Sequence, residues 1–354
     1  IMLAGLMWCL VLQGFYQYSP EEENYLATFS GNNEPLASLT DWSATSAAAG
    51  IEDDSVWRYD QYGTTRWYNE SLQLGVHGVS SYWSLSESSY GQFQREMYLN
   101  QDLDYRYTSL DGRSFLDALA SVKYFGVASG AEAYLPYGYR NNVVTRWTGQ
   151  DAEKAGQAEA QGGNTAGLDA AKISVYENDC WLPLGYTYDR WISREEYEEL
   201  NVTEKQQALL QGIVLEDSGL EAAEPVYSDE TVECIETLGD GIEKTEDGIL
   251  VRKAGASITL NFSGLPESET YFIMEGLDFQ GIRPSEQYMV EEWNALSVYE
   301  KNQVKLEDRD WTKPEATTIQ VSCGNVVKNL NYLNETGGFY TDKHDFLVNT
   351  GYRA

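Results

Sequence analysis

Ser80, Ser81, Tyr82, Trp83 and Ser84 stand in one unbroken run, three serine hydroxyls and two aromatic rings within five positions. Aromatic rings present broad apolar faces with a polar edge. Such faces stack on sugar rings, and neighbouring hydroxyls orient the sugar. Tyr82, Trp83 and Ser84 are therefore the candidate substrate-binding residues. The plainer reading of the same run is a structural loop with a buried aromatic. Lys123 is the fourth candidate. It heads the strand-like stretch SVKYFGVA (121–128), and an ammonium there could meet a phosphate as a compact point charge. The plainer reading is a lysine paired with a carboxylate.

Other chemistry finds little support. Adjacent acids such as Asp53 and Asp54, or Glu195 and Glu196, suggest the paired carboxylates of a glycosidase. Those must flank a bond at a set separation in space, and with 56 acidic residues neighbouring pairs arise by chance. The stretch Gly239 to Glu243 lacks the full spacing of a calcium loop and reads as a turn. Nucleophile-elbow, phosphate-loop and dinucleotide signatures are missing. Two histidines, His77 and His344, are too few for a histidine-rich metal site. Cys9, Cys180, Cys234 and Cys323 form no C-x-x-C pair, which removes the zinc-ribbon and thioredoxin readings and leaves one disulfide possible but not demanded. No catalytic residue, metal or cofactor is assigned. A formal charge of −32 opposes nucleic acid, whose phosphates need a cationic face, and opposes simple docking on anionic headgroups.

The elements that must position these residues fall into three parts. Residues 1–12 carry no charge but are fewer than the ~20 a full span needs. With no basic n-region, residues 1–16 read as the end of a transmembrane helix. A trimmed signal peptide and a buried soluble helix are the alternatives. Ser19, Pro20 and three glutamates then suit the start of a new helix. From 17 to 220 short strands and helices alternate. VWRYDQY (56–62) and SVKYFGVA read as strands, YGQFQREMYL (90–99) and SFLDALA (114–120) as helices, which gives a mixed α/β layer. Residues 150–170, rich in Gly, Ala and Gln, read as a flexible insertion. Ser193 with Glu196 and Thr203 with Gln206 match capping boxes. Beyond 221 alternating segments separated by turns predict an antiparallel, jelly-roll-like β-sandwich, incomplete at its C-terminal end, in which Ile258, Leu260 and Phe262 share one face. The predicted class is α+β.

Four segments, in this order, resemble the YfhO family of bacterial polytopic membrane proteins. They are LGVHGVSSYWSLSESSYGQFQ (74–94), LDGRSFLDALASVKYFGV (110–127), LPLGYTYDRWISREEYEELNVTEKQQALLQGIVLED (182–217) and HDFLVNTGY (344–352). The third is the most specific. The resemblance implies a cell-membrane protein with a GT-C-like glycosyltransferase core, moving a sugar from a polyprenyl-phosphate carrier to an envelope polymer such as teichoic acid. It implies that this stretch lies on the extracytoplasmic face. There it would be an accessory region, with the catalytic acid in an earlier loop outside the chain. Partners would be the carrier sugar and polymer acceptor through the full-length protein, and the membrane through the N-terminal helix. The competing expectation is a secreted or anchored carbohydrate-binding or envelope interaction module without catalysis.

Overall fold

The computed structural model describes residues 44–63, 71–72, 75–83, 87–100, 106–139, 143–148, 169–228, 231–246, 248–278, 317–332 and 343–353, with 69, 85, 296–297 and 299–300. The expected membrane helix over 1–16, the helix from Ser19 and nearly all of the 150–170 insertion lie outside these residues. Among the described residues no helix is long and apolar enough to cross a membrane.

The first half is built on a four-stranded sheet in the order β1-β4-β6-β5, where β1 is Arg58–Tyr62, β4 Val122–Ser129, β5 Val143–Thr148 and β6 Asp169–Glu177. β1 runs parallel to β4, and β6 runs antiparallel to both β4 and β5. Central β4 is buried from Tyr124 to Ala128 without alternation, as a strand covered on both faces must be. On one face α1 (Ala44–Ala49) packs with Trp57, Tyr59, Tyr124, Ile173 and Val175. The other face carries the larger core, including Met97, Leu116, Phe125, Val127, Tyr139 and Tyr197. Its residues come from α2 (Ser88–Glu96), α3 (Ser114–Leu119), α4 (Arg194–Glu198), α5 (Val202–Ala208) and the connections between them. The parallel β1–β4 pairing requires a long crossover, and α2 and α3 lie within it.

The first expected capping box, Ser193 with Glu196, forms. The second forms two residues early: Asn201 caps α5, with Glu204 reaching back. Asparagine caps at least as well as threonine, and starting at Asn201 lets Val202 become buried. Short β7 (Arg190–Ser193), just before α4, pairs in parallel with β8 (Ile213–Leu215) and β9 (Glu221–Ala222), which follow α5.

Later strands pair two by two, all antiparallel. β10 (Cys234–Leu238) pairs with β13 (Ile258–Phe262), and β11 (Ile242–Lys244) with β12 (Ile249–Val251). β14 (Ser268–Met274) pairs with β17 (Phe346–Arg353), and β15 (Thr317–Cys323) with β16 (Val326–Tyr332). The antiparallel expectation therefore holds pair by pair, and the whole is mixed α+β with sheets dominant. Leu260 and Phe262 are half-buried, but Ile258, expected on the same buried face, is 37% exposed. It sits opposite Leu238, at the end of the pairing. Leu330, Phe346 and Val348 form a small core with Phe272, Ile319 and Val321, and it is here that the two-residue alternation of TTIQVS places side chains inward.

Candidate functional site

Residues 80–83 of the SSYWS run lead off from the β1 edge of the first layer. Their approach is fixed by the backbone: Tyr59 N–H donates to His77 O (2.9 Å) and Val79 N–H to Tyr59 O (3.2 Å), which seats residues 77–79 along β1. Gly78 lies against the Tyr59 ring, where a Cβ would come within 3.1 Å of ring atoms. Next comes β2 (Ser81–Tyr82), antiparallel to β3 (Arg106–Tyr107). Ser80 Oγ donates to Thr108 O (2.5 Å).

The outer side of Tyr82 is held by one side chain. Asn69 Nδ2 donates to Tyr82 O (2.8 Å), and Tyr82 N–H donates to Asn69 Oδ1 (2.9 Å). Asn69 thus does the work of a third strand at the edge of the pair. Its backbone is left-handed, φ 67°, a conformation asparagine tolerates better than most residues. Behind the pair, Tyr90 of α2 meets Tyr107 edge-on at 4.5 Å. Burial, then the Tyr107 phenol, pushes the Tyr90 hydroxyl up to about 12.

The plainer reading, a structural loop with a buried aromatic, does not describe Tyr82 and Trp83. Tyr82 is 41% and Trp83 60% exposed, beside Leu85 at 84%. Leu72, one turn past Asn69, is 74% exposed. Ser84 lies outside the described residues.

Lys123 is elsewhere and already occupied. Its Nζ sits 2.7 Å from Asp53 Oδ2 and 3.6 Å from Glu177 Oε1, and 4.7 Å from the centroid of the Trp181 ring. Tyr124 Oη donates to the same Asp53 oxygen (2.7 Å). The Asp53 carboxyl is partly desolvated, which raises it, but the Lys123 ammonium and further hydrogen bonds hold it well below the usual carboxylate range. A lysine facing two carboxylates has no unmet charge to offer a phosphate, so the plainer reading applies to Lys123. Lys123 thus sits with Asp53, Glu177 and Trp181, whereas Tyr82 sits with Asn69 on the β2 edge.

What the sequence reading missed is a polar junction between the two halves. Asp117 and Arg113, at the start of α3, are fully buried, and Asp60 of β1 nearly so. Arg113 Nη2 donates to Met97 O. Asp117 Oδ2 accepts from Tyr139 Oη (3.1 Å), and Asp60 accepts from the amides of Gln61 and Leu110. Burial, then the nearby Asp60 charge, raises the Asp117 carboxyl well above its ordinary range. From the second half, Glu269 of β14 reaches the first turn of α3. Its Oε2 accepts from Ser114 Oγ (3.0 Å) and Tyr271 Oη (2.6 Å), and its Oε1 from Tyr137 N–H (3.0 Å). A carboxylate there suits the positive end of a helix. Asn349 Nδ2 donates to Gly112 O (2.7 Å), and Tyr134 Oη both donates to Val327 O and accepts from Val327 N–H, each at 2.9 Å. Perturbed carboxyls often mark active sites, but Asp60 and Asp117 are sealed from solvent: Asp60 accepts from backbone amides and Asp117 Oδ2 from the Tyr139 phenol, while Asp117 Oδ1 is buried without a hydrogen-bond partner. Their arrangement is that of a structural joint. Among the described residues no group of three His, Cys, Asp or Glu side chains is placed to hold a metal.

The chain has counterparts among known proteins. The family model described as "Bacterial membrane protein YfhO" matches residues 1–329, so the chain belongs to the YfhO family. It is also similar to "Uncharacterized protein YfhO" of Bacillus subtilis (strain 168), 27% identical over 169 residues. That alignment covers 47% of this chain and 17% of the relative's length. No solved structure matches.

Proposed function

We propose that this chain is an extracytoplasmic accessory region of a polytopic membrane protein with a glycosyltransferase-like role, one that moves a sugar from a polyprenyl-phosphate carrier to an envelope polymer such as teichoic acid. Membership of a membrane-protein family, over residues 1–329, is the observation that carries the reading. The structure adds a chemical argument. Sugar transfer needs an acid or base that can touch the substrate, and the carboxyl raised well above its ordinary range, Asp117, is sealed inside the fold. Outward the fold offers an exposed aromatic pair, Tyr82 and Trp83, on an anchored edge. That surface also suits the second reading, a carbohydrate-binding or envelope interaction module without catalysis.

The test compares the full-length membrane protein with this chain alone, both given polyprenyl-phosphate sugar and an envelope acceptor. Turnover is expected from the former only, and Trp83→Ala should lower it. Turnover by the chain alone, abolished by a substitution within it, would make the region itself the enzyme. A full-length protein that binds glycan through Trp83 but transfers nothing would favour the binding-module reading.

A further inference from the structure

The edge that carries Trp83 has a second property, independent of its rings. Residues 71–86 contain no Asp, Glu, Lys or Arg, in a chain that is 23% charged and carries a net −32. Glu70 and Glu87 bound the stretch on either side. Within it three large apolar side chains, Leu72, Trp83 and Leu85, are each more than half exposed. Exposed apolar residues scattered singly need no explanation. These three are not scattered, because the paired hydrogen bonds between Asn69 and Tyr82 tie the turn bearing Leu72 to the strand that leads into Trp83 and Leu85. The backbone beneath is fixed on β1 through Tyr59 and on β3 through Tyr107. An apolar tip held on a rigid base loses little conformational freedom when it is covered.

From this edge we infer a membrane contact: Leu72, Trp83 and Leu85 dip into the headgroup–acyl boundary of a lipid bilayer, with Tyr82 at the level of the headgroups. Three observations select lipid over a protein partner. The chain belongs to a family of membrane proteins, so a bilayer is adjacent. The mixture of Trp, Tyr and Leu is that of interfacial belts, where amphipathic rings sit at the headgroups and leucines lie deeper. The missing charge matters most. An acidic surface is repelled by anionic lipids, and a carboxylate carried into the interface would have to shed its water. A stretch without carboxylates on a −32 chain escapes both costs, and the residue opposite Tyr82 on β3, Arg106, is a cation. The contact rests on family membership, not on the transferase reading.

The experiment uses the full chain with its four native cysteines replaced by serine, and an environment-sensitive dye on Leu85→Cys. The chain is mixed with phosphatidylcholine vesicles containing a lipid-borne quencher. A matched protein carries the dye on Val226→Cys, a position 78% exposed outside this edge. The dye at 85 is expected to shift to the blue and be quenched, while the dye at 226 stays in water. Adding phosphatidylglycerol should not strengthen the contact. Trp83→Ser in the same background should weaken it about tenfold, since losing one large buried apolar side chain removes at least roughly 1.4 kcal/mol. Both residues are exposed, so the fold should tolerate the changes, and circular dichroism checks that it does. A vesicle-bound chain whose dye at 85 remains aqueous would overturn the inference, because the apolar N-terminal run alone would then hold it. Equal quenching at 226, or no vesicle binding at all, would overturn it as well. None of these outcomes bears on turnover, so the transferase reading stands or falls separately.

Discussion

Asn69 offers the sharpest test of how the exposed edge is held. Its amide makes two hydrogen bonds to the backbone of Tyr82, at 2.8 and 2.9 Å. Each is worth about 1 kcal/mol net, and a non-glycine, non-asparagine residue at a left-handed position costs roughly 1 kcal/mol more. Asn69→Gly keeps the backbone and loses both bonds, so local opening should become easier by about 2 kcal/mol, roughly thirtyfold in equilibrium constant. Asn69→Ala adds the strain of φ 67°, for a total of about 3 kcal/mol. Asn69→Asp keeps the acceptor for Tyr82 N–H but sets a carboxylate oxygen against Tyr82 O, so it should fall between wild type and glycine. Amide hydrogen exchange at Tyr82, resolved to single residues, reads this opening directly. The expected order of rates is Asn, Asp, Gly, Ala, slowest first, with amides of β4 unchanged. If Tyr82 exchanged as slowly in Asn69→Gly as in wild type, the side-chain clamp would not be what holds the edge. Acceleration across β4 as well would mean that Asn69 supports the whole layer.

Other consequences concern the buried joint. Tyr139→Phe removes the donor to Asp117 Oδ2, while Val122 O keeps its bond from Asn178 Nδ2 (3.1 Å); a loss of about 1–2 kcal/mol in urea unfolding is expected. Asp117 has a raised folded-state pKa, so its contribution is fully present below the unfolded value near 3.9 and is lost as pH rises toward the folded value, at about 1.4 kcal/mol per pH unit. Asp117→Asn should flatten that slope, gaining on wild type as pH rises, and parallel stability curves would show that Asp117 titrates normally. Gly138 holds φ 92° with Asn178 Oδ1 2.6 Å from where a Cβ would stand, so Gly138→Ala should destabilise by roughly 2 kcal/mol or more in the same assay.

Local signals carried most of the legible structure. The spacing of Tyr90, Phe93 and Met97 placed α2, and SFLDALA feeding VKYFGVA became α3 and β4. These rest on contacts within one or two turns, which periodicity reports directly. The Gly239–Glu243 stretch is indeed a turn, closed by Ile242 N–H on Gly239 O (3.2 Å). Pairings across long separations were not legible. Nothing near Glu269 announces that it caps α3, because its partners Ser114 and Tyr137 lie 155 and 132 positions away. Nothing in the sequence around Arg113 announces its burial, and Tyr271 and Glu269 of β14 come near it only in the folded chain. The hydroxyl and aromatic content of SSYWS was visible, but its exposure was not, since that depends on β1, β3 and Asn69 together. Residue type alone does not show what Lys123 faces, because its ion pair with Asp53 joins positions 70 apart.

The joint also bears on the order in which the chain can fold. Asn349 closes on Gly112 across 237 positions, and Lys328 on Asp111 across 217. Pairings this distant in sequence must bear the loop-closure entropy before any contact rewards it, which slows folding. A ribosome delivers β14 well before β17, its partner in the sheet. During synthesis, β14 and the unsealed Arg113–Asp117 joint therefore wait as an open strand edge and a wet polar surface until residues 346–353 emerge. That interval is when this region is most exposed to aggregation and proteolysis, and a chaperone that shielded β14 would be expected to raise the yield of folded protein.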